Sequence, residues 1–586
     1  MDSVTFDLDQ RMDVQETWWR DLKACLRHRF IRSRDTSNIV ERPERLRAVN
    51  VGLAAAIARL ERCDTQRRKE EISTVAHDND VKTEPDSDDL TTALGRLDLT
   101  SSTPVPSHIP LNLVHSTASI DILNNAAVKY IHGDIQGDVY LENLKSWAKQ
   151  SHDKITKGES EIPEGYSQGD LYLCPESVDA IQGALGTVCE AVDAIVGSSP
   201  TDKEHSNGRR AFVAIRPPGH HCGEDTPSGF CFVNNVSVGA AHAHLKHGIN
   251  RVVILDIDLH HGNGTQAIAW QINEETYRKN LEQQGGAPLG KSELQIYYGS
   301  VHDILSFPCE DGKTELVQAA SVSIHGPHGQ YIENIHLKPY SSEKEFWDEL
   351  YAGPYAKLLG SAGEFLQETG GPGDDVLVPT SFYHRFARDA CAFAERFARG
   401  RLISVLEGGY SDRALTSGVM AHITGLVHSD EFKVDEQWWS QDNLVTLEKA
   451  TKKRRGGRPS QTTPLEPWLE RTLEIFASLD AAHSIPASAS RAPAPPSSRT
   501  LRERKPANGS NENGNPSLVS SPKRGGVKSE RGASTKAQAS ASINASKSSD
   551  SELTDLSLDS NDAEAHVEPK KLPRVILRLG PVPGSS

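Results

Sequence analysis

The sequence predicts an α/β fold in which a parallel sheet is covered by helices on both faces. Short stretches such as RAFVAIR, RVVILDID and RLISVLEGG are continuously apolar rather than alternating, as expected of strands that are buried on both faces. Stretches with helical periodicity lie between them, including SVDAIQGALGTVCEAVDAIVG and QAIAWQINEETYRKNL. This alternation is typical of a parallel sheet, whose ligands bind beyond the carboxyl ends of the strands.

Composition narrows the class of protein. The chain has 586 residues, a formal net charge of −16 and 37% hydrophobic residues, a modest share that predicts some unstructured segments. No apolar run approaches the roughly 18 residues of a membrane span, and the first residues, MDSVTFDLDQRM, lack a signal-peptide pattern. The eight cysteines form no CxxC pair, so we interpret them as reduced thiols of a soluble intracellular protein without membrane partners.

Changes in composition divide the chain into four parts. We assign residues 1–24 as an uncertain N-terminal segment without a convincing strand, and residues 25–430 as the main domain. A polar, Ser/Thr/Pro-rich stretch at about 64–110 is predicted to be a flexible insertion. Residues 431–484 form an extension, and residues 485–586, rich in Ser, Ala and Pro, are predicted to be a disordered tail.

The extension contains two features. PLEPWLERTLEIFASL has an apolar stripe at helical spacing and is expected to pack on the main domain; its members are Trp468, Leu469, Leu473, Phe476 and Leu479. Before it, KKRRGGR runs from Lys452 to Arg458. This basic segment has three readings: a nuclear import signal, a weak DNA minor-groove contact or a solvated linker.

The chemistry of the sequence begins at ILDIDLHHGNG. Asp256, Asp258 and His260 alternate with apolar residues, so a period of two places all three on one face where the strand ends. Carboxylate oxygen and imidazole nitrogen are zinc ligands, and catalytic zinc sites use three protein ligands plus water. The alternative is a polar strand end that hydrogen-bonds only to its own turn.

Two further strand ends carry reactive side chains. RPPGHH places His220 and His221 after a strand, where a histidine pair can act as general base and electrostatic partner, although such pairs are often surface residues. LEGGY places Tyr410 after a tight glycine turn, which can aim its hydroxyl inward to stabilise an oxyanion. The alternative is a tyrosine that only packs in the core. Together the three strand ends indicate metal-assisted amide hydrolysis.

Five segments resemble the zinc-dependent histone deacetylase family of the arginase/deacetylase superfamily, in its fungal class II-like Hos branch. They are IVERPERLRAVN, GDLYLCPES, RPPGHHCGEDTPSGFCFVNN, VVILDIDLHHGNGT and LEGGYSD, and the resemblance covers roughly residues 25–480. It implies the arginase/deacetylase fold, with long loops that form a narrow channel for acetyl-lysine.

The resemblance also implies a role for each polar residue of these segments. Asp258 and His260 would be zinc ligands. The catalytic groups would be His221 as general acid/base, His220 as its electrostatic neighbour and Tyr410. Asp256 and Asn263 would orient the histidine pair. Asp256 and Ser300 resemble part of the family's potassium site. The substrate channel would be lined by Gly229, Phe230 and Phe307, with Asp170 holding the substrate backbone.

The family's third zinc ligand is an aspartate in a motif like SAGFD, and this sequence lacks that motif. It reads GGPGDDVLVPTSFYHRF, so a segment is missing at about the Leu377–Val378 junction. Asp374 and Asp375 stand at the start of the expected strand, which is the wrong end for the site. Downstream, three candidates lie in a segment predicted to be loop or helix: Tyr383, His384 and Asp389.

These observations leave three hypotheses for function. The first is a zinc-dependent lysine deacetylase, impaired if the third ligand is truly lost, that acts on acetylated histone tails or other acetylated proteins with chromatin or corepressor partners, in the nucleus and also in the cytoplasm. The second is a non-catalytic protein of the same fold that binds acetyl-lysine or partner proteins. The third is an acetylpolyamine amidohydrolase.

Overall fold

A computed structural model describes most of the predicted main domain and the extension helix. The described residues are 16–21, 25–33, 39–78, 111–133, 139–197, 209–286, 288, 292–367, 380–427, 434–451 and 465–481. The basic segment at 452–458, the junction between Leu377 and Val378, Asp374 and Asp375, most of the predicted insertion and the predicted tail lie outside them.

Eight strands and twelve helices of the described residues position the site. The strands are β1 Glu16–Asp21, β2 Leu111–Ser116, β3 Arg210–Ala214, β4 Arg251–Asp256, β5 Gln295–His302, β6 Ser323–His325, β7 Tyr331–His336 and β8 Leu402–Val405. The helices are α1 Glu44–Asp78, α2 Ala126–His132, α3 Tyr140–Thr156, α4 Ser177–Gly197, α5 Asn235–His247, α6 Asn263–Gln284, α7 Thr314–Ala319, α8 Lys357–Gln367, α9 Thr380–Phe397, α10 Asp412–Leu426, α11 Gln441–Thr451 and α12 Pro467–Ala481. Shorter helical turns lie at Pro327–Gly329, Glu343–Glu345, Phe346–Tyr351 and Glu436–Trp439.

The strands form two four-stranded sheets. The first has the order β2-β1-β3-β8 and is parallel throughout; the second has the order β4-β5-β7-β6, in which only β6 is antiparallel. Helices cover both faces of the second sheet, because Tyr298 of β5 packs in a cluster with Ile268 of α6 whereas the adjacent Tyr297 packs against Phe365 of α8. The predicted α/β fold with a parallel sheet between helices is confirmed.

The boundary between the sheets is less buried than their interiors. Within the described residues, β8 pairs only with β3 and β4 only with β5. All four residues of β8 and the first three of β4 are half-buried, whereas the last seven residues of β5 are buried. The carboxyl ends of β4 and β8 are nevertheless close, since the Asp258 carboxylate accepts a 2.8 Å hydrogen bond from the Gly408 N–H.

Two sequence predictions require correction. The segment before Lys23 contains a strand after all, β1, which pairs with both β2 and β3. Its sequence, ETWWRD, begins and ends with charged residues, so it has no continuous apolar run to reveal it. Helix α1 also continues to Asp78, well past the predicted start of the insertion at 64.

Helices α1, α10 and α12 form one core with the first sheet. Trp468, Leu469, Phe476 and Leu479 of α12 are buried in it, which confirms that this helix packs on the main domain. Helix α4 is long and apolar enough to cross a membrane, but 67% of that stretch is buried inside the protein, as in the core helix of a globular domain.

Candidate active site

The ends of β3, β4 and β8 bring three of the predicted groups together. His220 and His221 follow β3, with ring centres 4.0 Å apart, and the His221 ring lies 6.1 Å from that of His260, which follows β4. The His260 ring in turn lies 6.5 Å from Tyr410, which follows β8. The convergence expected at the carboxyl edge of a parallel sheet is therefore present.

His220 is buried against a carboxylate. Its Nδ1 lies 3.1 Å from Asp256 Oδ2, which also accepts a 3.1 Å hydrogen bond from the Tyr298 hydroxyl. Burial alone would lower the pKa of His220, but the adjacent Asp256 carboxylate outweighs it and raises that pKa to about 10. His220 is therefore a cation at neutral pH.

His221 has the opposite electrostatic character. Its Nδ1 lies 2.8 Å from Asn263 Oδ1, and both burial and the positive charge of His220 hold its pKa well below the ordinary value. When Asn263 accepts a proton from Nδ1, the lone pair of a neutral imidazole is on Nε2. The two adjacent histidines thus supply one fixed positive charge and one neutral base.

Asp258 and His260 present two donor atoms to one point. Asp258 Oδ1 lies 2.8 Å from His260 Nδ1 and also accepts the His260 backbone N–H at 3.0 Å. Although burial opposes ionisation, the hydrogen bond from His260 and the charge of His220 keep the pKa of Asp258 below its usual range. A side chain at Gly408 would overlap Asp258 Oδ2, so the glycine turn allows this close approach. One carboxylate oxygen and one imidazole nitrogen fit two of the three protein ligands of a catalytic zinc site.

Tyr410 is positioned by a residue that the sequence analysis did not single out. Arg45 of α1 donates hydrogen bonds to the carbonyl oxygens of Glu407 at 2.6 Å, of Gly409 at 2.8 Å and of Gly408. Its guanidinium carbon lies 4.9 Å from the centre of the Tyr410 ring. Burial raises the pKa of Tyr410 far above neutrality, so its hydroxyl remains a donor.

Arg45 belongs to a buried ionic cluster that joins three of the segments quoted above. The Glu41 carboxylate accepts hydrogen bonds from Arg216 at 2.6 and 2.8 Å, from Arg45 at 3.1 Å and from the Tyr172 hydroxyl at 2.6 Å. Glu41, Arg45 and Arg216 are all fully buried. Because each charge has a partner, the cluster can hold the loops around the site in a single arrangement.

Glu407 is a second residue that the sequence analysis missed. Its carboxylate accepts the backbone N–H of Gly219 at 2.7 Å and of His220 at 3.2 Å, which ties the histidine loop to the end of β8. Burial raises its pKa to about 7. The position of Glu407 just before the glycine turn of LEGGY was a local sequence signal for a role at the site. Its hydrogen-bond partners, however, are 188 and 187 positions away in the sequence.

The predicted channel residues lie around the histidine pair. The Phe307 ring packs edge-on against His221 at 4.8 Å, and Phe230 lies 5.7 Å from Tyr410. Gly229 and Phe230 both have positive φ, at 52° and 67°, and a side chain at Gly229 would overlap the His221 ring. Asp170 fixes this turn by accepting the N–H of Gly229 at 3.2 Å through Oδ2, and its buried Oδ1 has no partner within the described residues.

The two side chains of the predicted potassium site are direct neighbours in the sheet. Asp256 of β4 and Ser300 of β5 are register partners. Asp256 Oδ1 accepts the Asp258 N–H at 3.1 Å, and the Ser300 hydroxyl lies 2.8 Å from His302 Nδ1. Ion binding by this pair stays a prediction.

The three downstream candidates for a third zinc donor have other contacts in the structure. All three lie in α9, where the Asp389 carboxylate accepts a 2.9 Å hydrogen bond from Tyr351 and the His384 ring packs against Trp439 at 5.7 Å. Tyr383 is half-buried, and desolvation followed by the charge of Asp258 raises its pKa to about 12.

Comparisons with known proteins identify the family. The profile of the histone deacetylase domain matches residues 110–426, more than half of the chain. The chain is 36% identical over 352 residues to histone deacetylase HOS3 of Saccharomyces cerevisiae, covering 54% of this chain and 50% of that one. It is 40% identical over 288 residues to histone deacetylase 6 of Caenorhabditis elegans, covering 48% and 27%.

A bacterial relative and a solved structure extend the comparison. The chain is 30% identical over 243 residues to the histone deacetylase-like amidohydrolase of Pseudomonas aeruginosa, covering 42% of this chain and 57% of that one. A crystal structure of the HDA15 HD domain matches with a TM-score of 0.43 at 19% identity, covering 79% and 99%. The chain spans about half the length, or less, of the three sequence relatives. From the profile match, the chain belongs to the histone deacetylase family.

Proposed function

We propose that the chain is a zinc-dependent lysine deacetylase that hydrolyses the amide of acetyl-lysine to lysine and acetate. The observation that carries the proposal is the contrast between two adjacent buried histidines. His220 Nδ1 lies 3.1 Å from the Asp256 carboxylate, which raises its pKa, and His221 Nδ1 lies 2.8 Å from Asn263 Oδ1, with its pKa lowered. Both lie beside the donor pair Asp258 and His260 and across from Tyr410. Amide hydrolysis needs a base, a fixed positive charge and an oxyanion donor, and these residues provide all three.

Zinc would be held by Asp258 and His260. Bound there, it supplies Lewis-acid polarisation of the amide carbonyl and lowers the pKa of water. The donor set fits this use because a carboxylate oxygen and an imidazole nitrogen already approach within 2.8 Å of each other.

The remaining steps belong to side chains of the chain itself. Phe230 and Phe307 pack along the apolar stem of a neutral acetyl-lysine, and the free oxygen of Asp170 can accept a hydrogen bond from the substrate backbone. His221 takes the proton of the attacking water while Tyr410 donates a hydrogen bond to the oxygen that becomes negative. The C–N bond then breaks as the proton passes from His221 to the leaving lysine amine, which leaves acetate and a neutral imidazole.

The test measures zinc content and acetate release on the full chain. We expect release of acetate from an acetyl-lysine peptide in the presence of zinc, with loss of activity in His221→Ala. An N-acetylated polyamine serves as the competing substrate and is expected to react poorly. Preference for the polyamine would instead support the amidohydrolase hypothesis, and absence of turnover with either substrate would contradict the proposal.

A second candidate is a non-catalytic protein that binds acetyl-lysine, and one observation favours it. Among the described residues, the site has two zinc donors, and the sequence departs from the family motif where the third would stand. Binding of an acetyl-lysine peptide without acetate release would support this candidate. Sequencing the transcript across the junction of Leu377 and Val378 shows whether the third ligand is truly lost or the segment that carries it is missing only from this sequence. A transcript that reads through without an SAGFD-like motif favours the non-catalytic candidate.

We also propose a nuclear location with acetylated histone tails as substrates, other acetylated proteins as further substrates and chromatin corepressors as partners. The support is the family and the basic segment KKRRGGR, which carries five cations in seven residues in an otherwise acidic chain. Replacing Lys452, Lys453, Arg454 and Arg455 by alanine is expected to reduce nuclear entry. Unchanged entry of this variant would contradict the import signal.

A further inference from the structure

A second set of metal-type donors lies between α4 and α5. His242 Nε2 is 2.9 Å and His247 Nε2 is 2.7 Å from the same oxygen, Asp193 Oδ1. Within the described ranges of the chain, these residues form the one group of three His, Cys, Asp or Glu donors whose ligand atoms all lie within 4.8 Å of one another. No step of the deacetylation proposed above uses them.

The fold fixes the three side chains. Asp193 is on α4, whereas His242 and His247 are on α5, which ends at His247 with Gly248 in the left-handed conformation. The two imidazoles are largely shielded, with 14% and 16% of their side chains exposed, and Asp193 is 35% exposed. The carbonyl end of α5 adds a partial negative charge, which favours a cation there.

The two measured distances to Asp193 suit a tetrahedral ion. Zinc bonds to imidazole nitrogen and carboxylate oxygen are about 2.0–2.2 Å, which places ligand atoms roughly 3.3 Å apart. The Nε2 to Oδ1 distances of 2.7 and 2.9 Å therefore need to open by only about half an ångström. Side-chain torsions alone can supply such a change.

We propose that Asp193, His242 and His247 form a second site for a divalent transition metal of the zinc class. The three ligands leave one coordination position for water, and two imidazoles with a carboxylate select such metals over calcium or magnesium. Lys246 competes for the site, because its ammonium lies 2.7 Å from Asp193 Oδ2. Its side chain is 55% exposed, so it can turn into solvent when the metal binds.

The site is separate from the active site but is connected to it by α5. Asn234 caps the other end of this helix, and its amide donates 3.0 Å hydrogen bonds to the Cys222 carbonyl and the Thr265 hydroxyl beside the histidine loop. A 13-residue helix is about 20 Å long, so the two metal sites share no ligand. A bound metal would cross-link α4 to α5 and stabilise the scaffold rather than take part in hydrolysis.

The experiment measures zinc binding to the full chain with the catalytic donors removed. In an Asp258→Asn, His260→Asn background, we expect one zinc ion per chain by titration calorimetry and by elemental analysis. Adding His242→Asn or His247→Asn is expected to weaken this binding by at least about tenfold, since even groups behind the ligands have effects of that size. The same changes in the unmodified chain are expected to lower its zinc content by one equivalent.

Two variants on the same helix provide matched controls. His244→Asn changes a histidine whose Nδ1 lies near the Ile249 carbonyl and Asn250, and it is expected to keep the metal. Lys246→Met removes the competing ammonium and is expected to tighten binding roughly 3- to 10-fold, as Coulomb repulsion at such short range predicts. An ion-pair cluster without a metal function predicts no gain from Lys246→Met.

The outcomes separate this site from the proposed catalytic function. Zinc that survives the His242 and His247 substitutions in both backgrounds, or no tightening by Lys246→Met, would overturn the second site. Thermal unfolding gives a further readout, because zinc should raise the melting temperature of the Asp258→Asn, His260→Asn chain and this rise should vanish when His242→Asn is added. Neither readout requires deacetylase activity.

Discussion

The histidine side of the site, around His220 and His221, and the boundary between the two sheets differ in how fully they are hydrogen-bonded and buried. On the histidine side, three polar groups have defined partners: His220 with Asp256, His221 with Asn263, and Glu407 Oε2 with two backbone N–H groups. At the boundary, β8 and the first three residues of β4 are half-buried, and Gly408 after β8 donates a hydrogen bond to Asp258 after β4. The proton-transfer groups thus stand on a packed scaffold, whereas the metal donors stand beside the half-buried strand β8.

This difference indicates that the positions of the base His221, the charged His220 and the oxyanion donor Tyr410 depend on contacts that do not involve a third zinc ligand. The Glu41 cluster and Arg45 hold the strand ends from behind, on the side of α1. The donors Asp258 and His260, by contrast, depend on each other and on the glycine turn after β8. Substitutions of the histidine pair and of the metal donors should therefore differ in their effects on turnover and on zinc content.

The largest effect on turnover is expected from the histidine side. His221→Ala removes the base and should lower kcat by about 10²–10⁴-fold, the usual contribution of a positioned base. Zinc content should change little, because His221 Nδ1 is paired with Asn263 and His221 is not one of the proposed zinc ligands. Equal loss of zinc and activity in this variant would show that the two sides are not separable.

Glu41→Gln should break the cluster behind the site. It leaves Arg216 and Arg45 buried without a compensating charge, so we expect about 3–5 kcal/mol less free energy of unfolding. Urea unfolding checks this. The exposed Glu436→Gln is the control and should change stability little. A loss below about 1 kcal/mol would contradict the structural role of the cluster.

Tyr410→Phe should lower kcat by about 10²–10³-fold, as loss of one oxyanion donor does. Binding of an acetyl-lysine peptide should be nearly unchanged, because the ring that packs against Phe230 is retained. Kinetics and peptide titration together make the test. If peptide affinity falls as far as the rate does, the hydroxyl acts in binding and not in the reaction.

The sequence predicted the reactive groups better than the residues that support them. Asp256, Asp258 and His260 follow one apolar strand and share its period, so local spacing was sufficient to group them. Arg45 acts on carbonyl groups 362–364 positions away, and no local pattern carries that information. Strand β1 escaped prediction because its stability comes from pairing with β2 and β3 rather than from its own charged sequence.

The boundary itself can be tested with two core substitutions of similar chemistry. Ile296→Ala in β5 removes a fully buried side chain and should cost about 2–5 kcal/mol. Leu402→Ala in β8 removes a half-buried one and should cost less than about half of that, because less apolar surface returns to water. Equal costs, measured by urea unfolding, would mean that β8 is as well covered as β5.

The smallest expected effect concerns the pH dependence of stability at the same boundary. His422 of α10 lies with Nε2 2.8 Å from the hydroxyl of Ser404 in β8, and burial lowers its pKa to about 4. The unfolded chain takes up this proton near pH 6.5, before the folded chain does, so stability falls as pH drops from about 6.5 towards 4. The slope from this group is up to about 1.4 kcal/mol per pH unit. His422→Gln removes that contribution, so its unfolding free energy should approach and then exceed that of the unmodified chain between pH 7 and pH 5. A constant difference across this range would show that His422 is already solvated, and hence that the boundary is open to water.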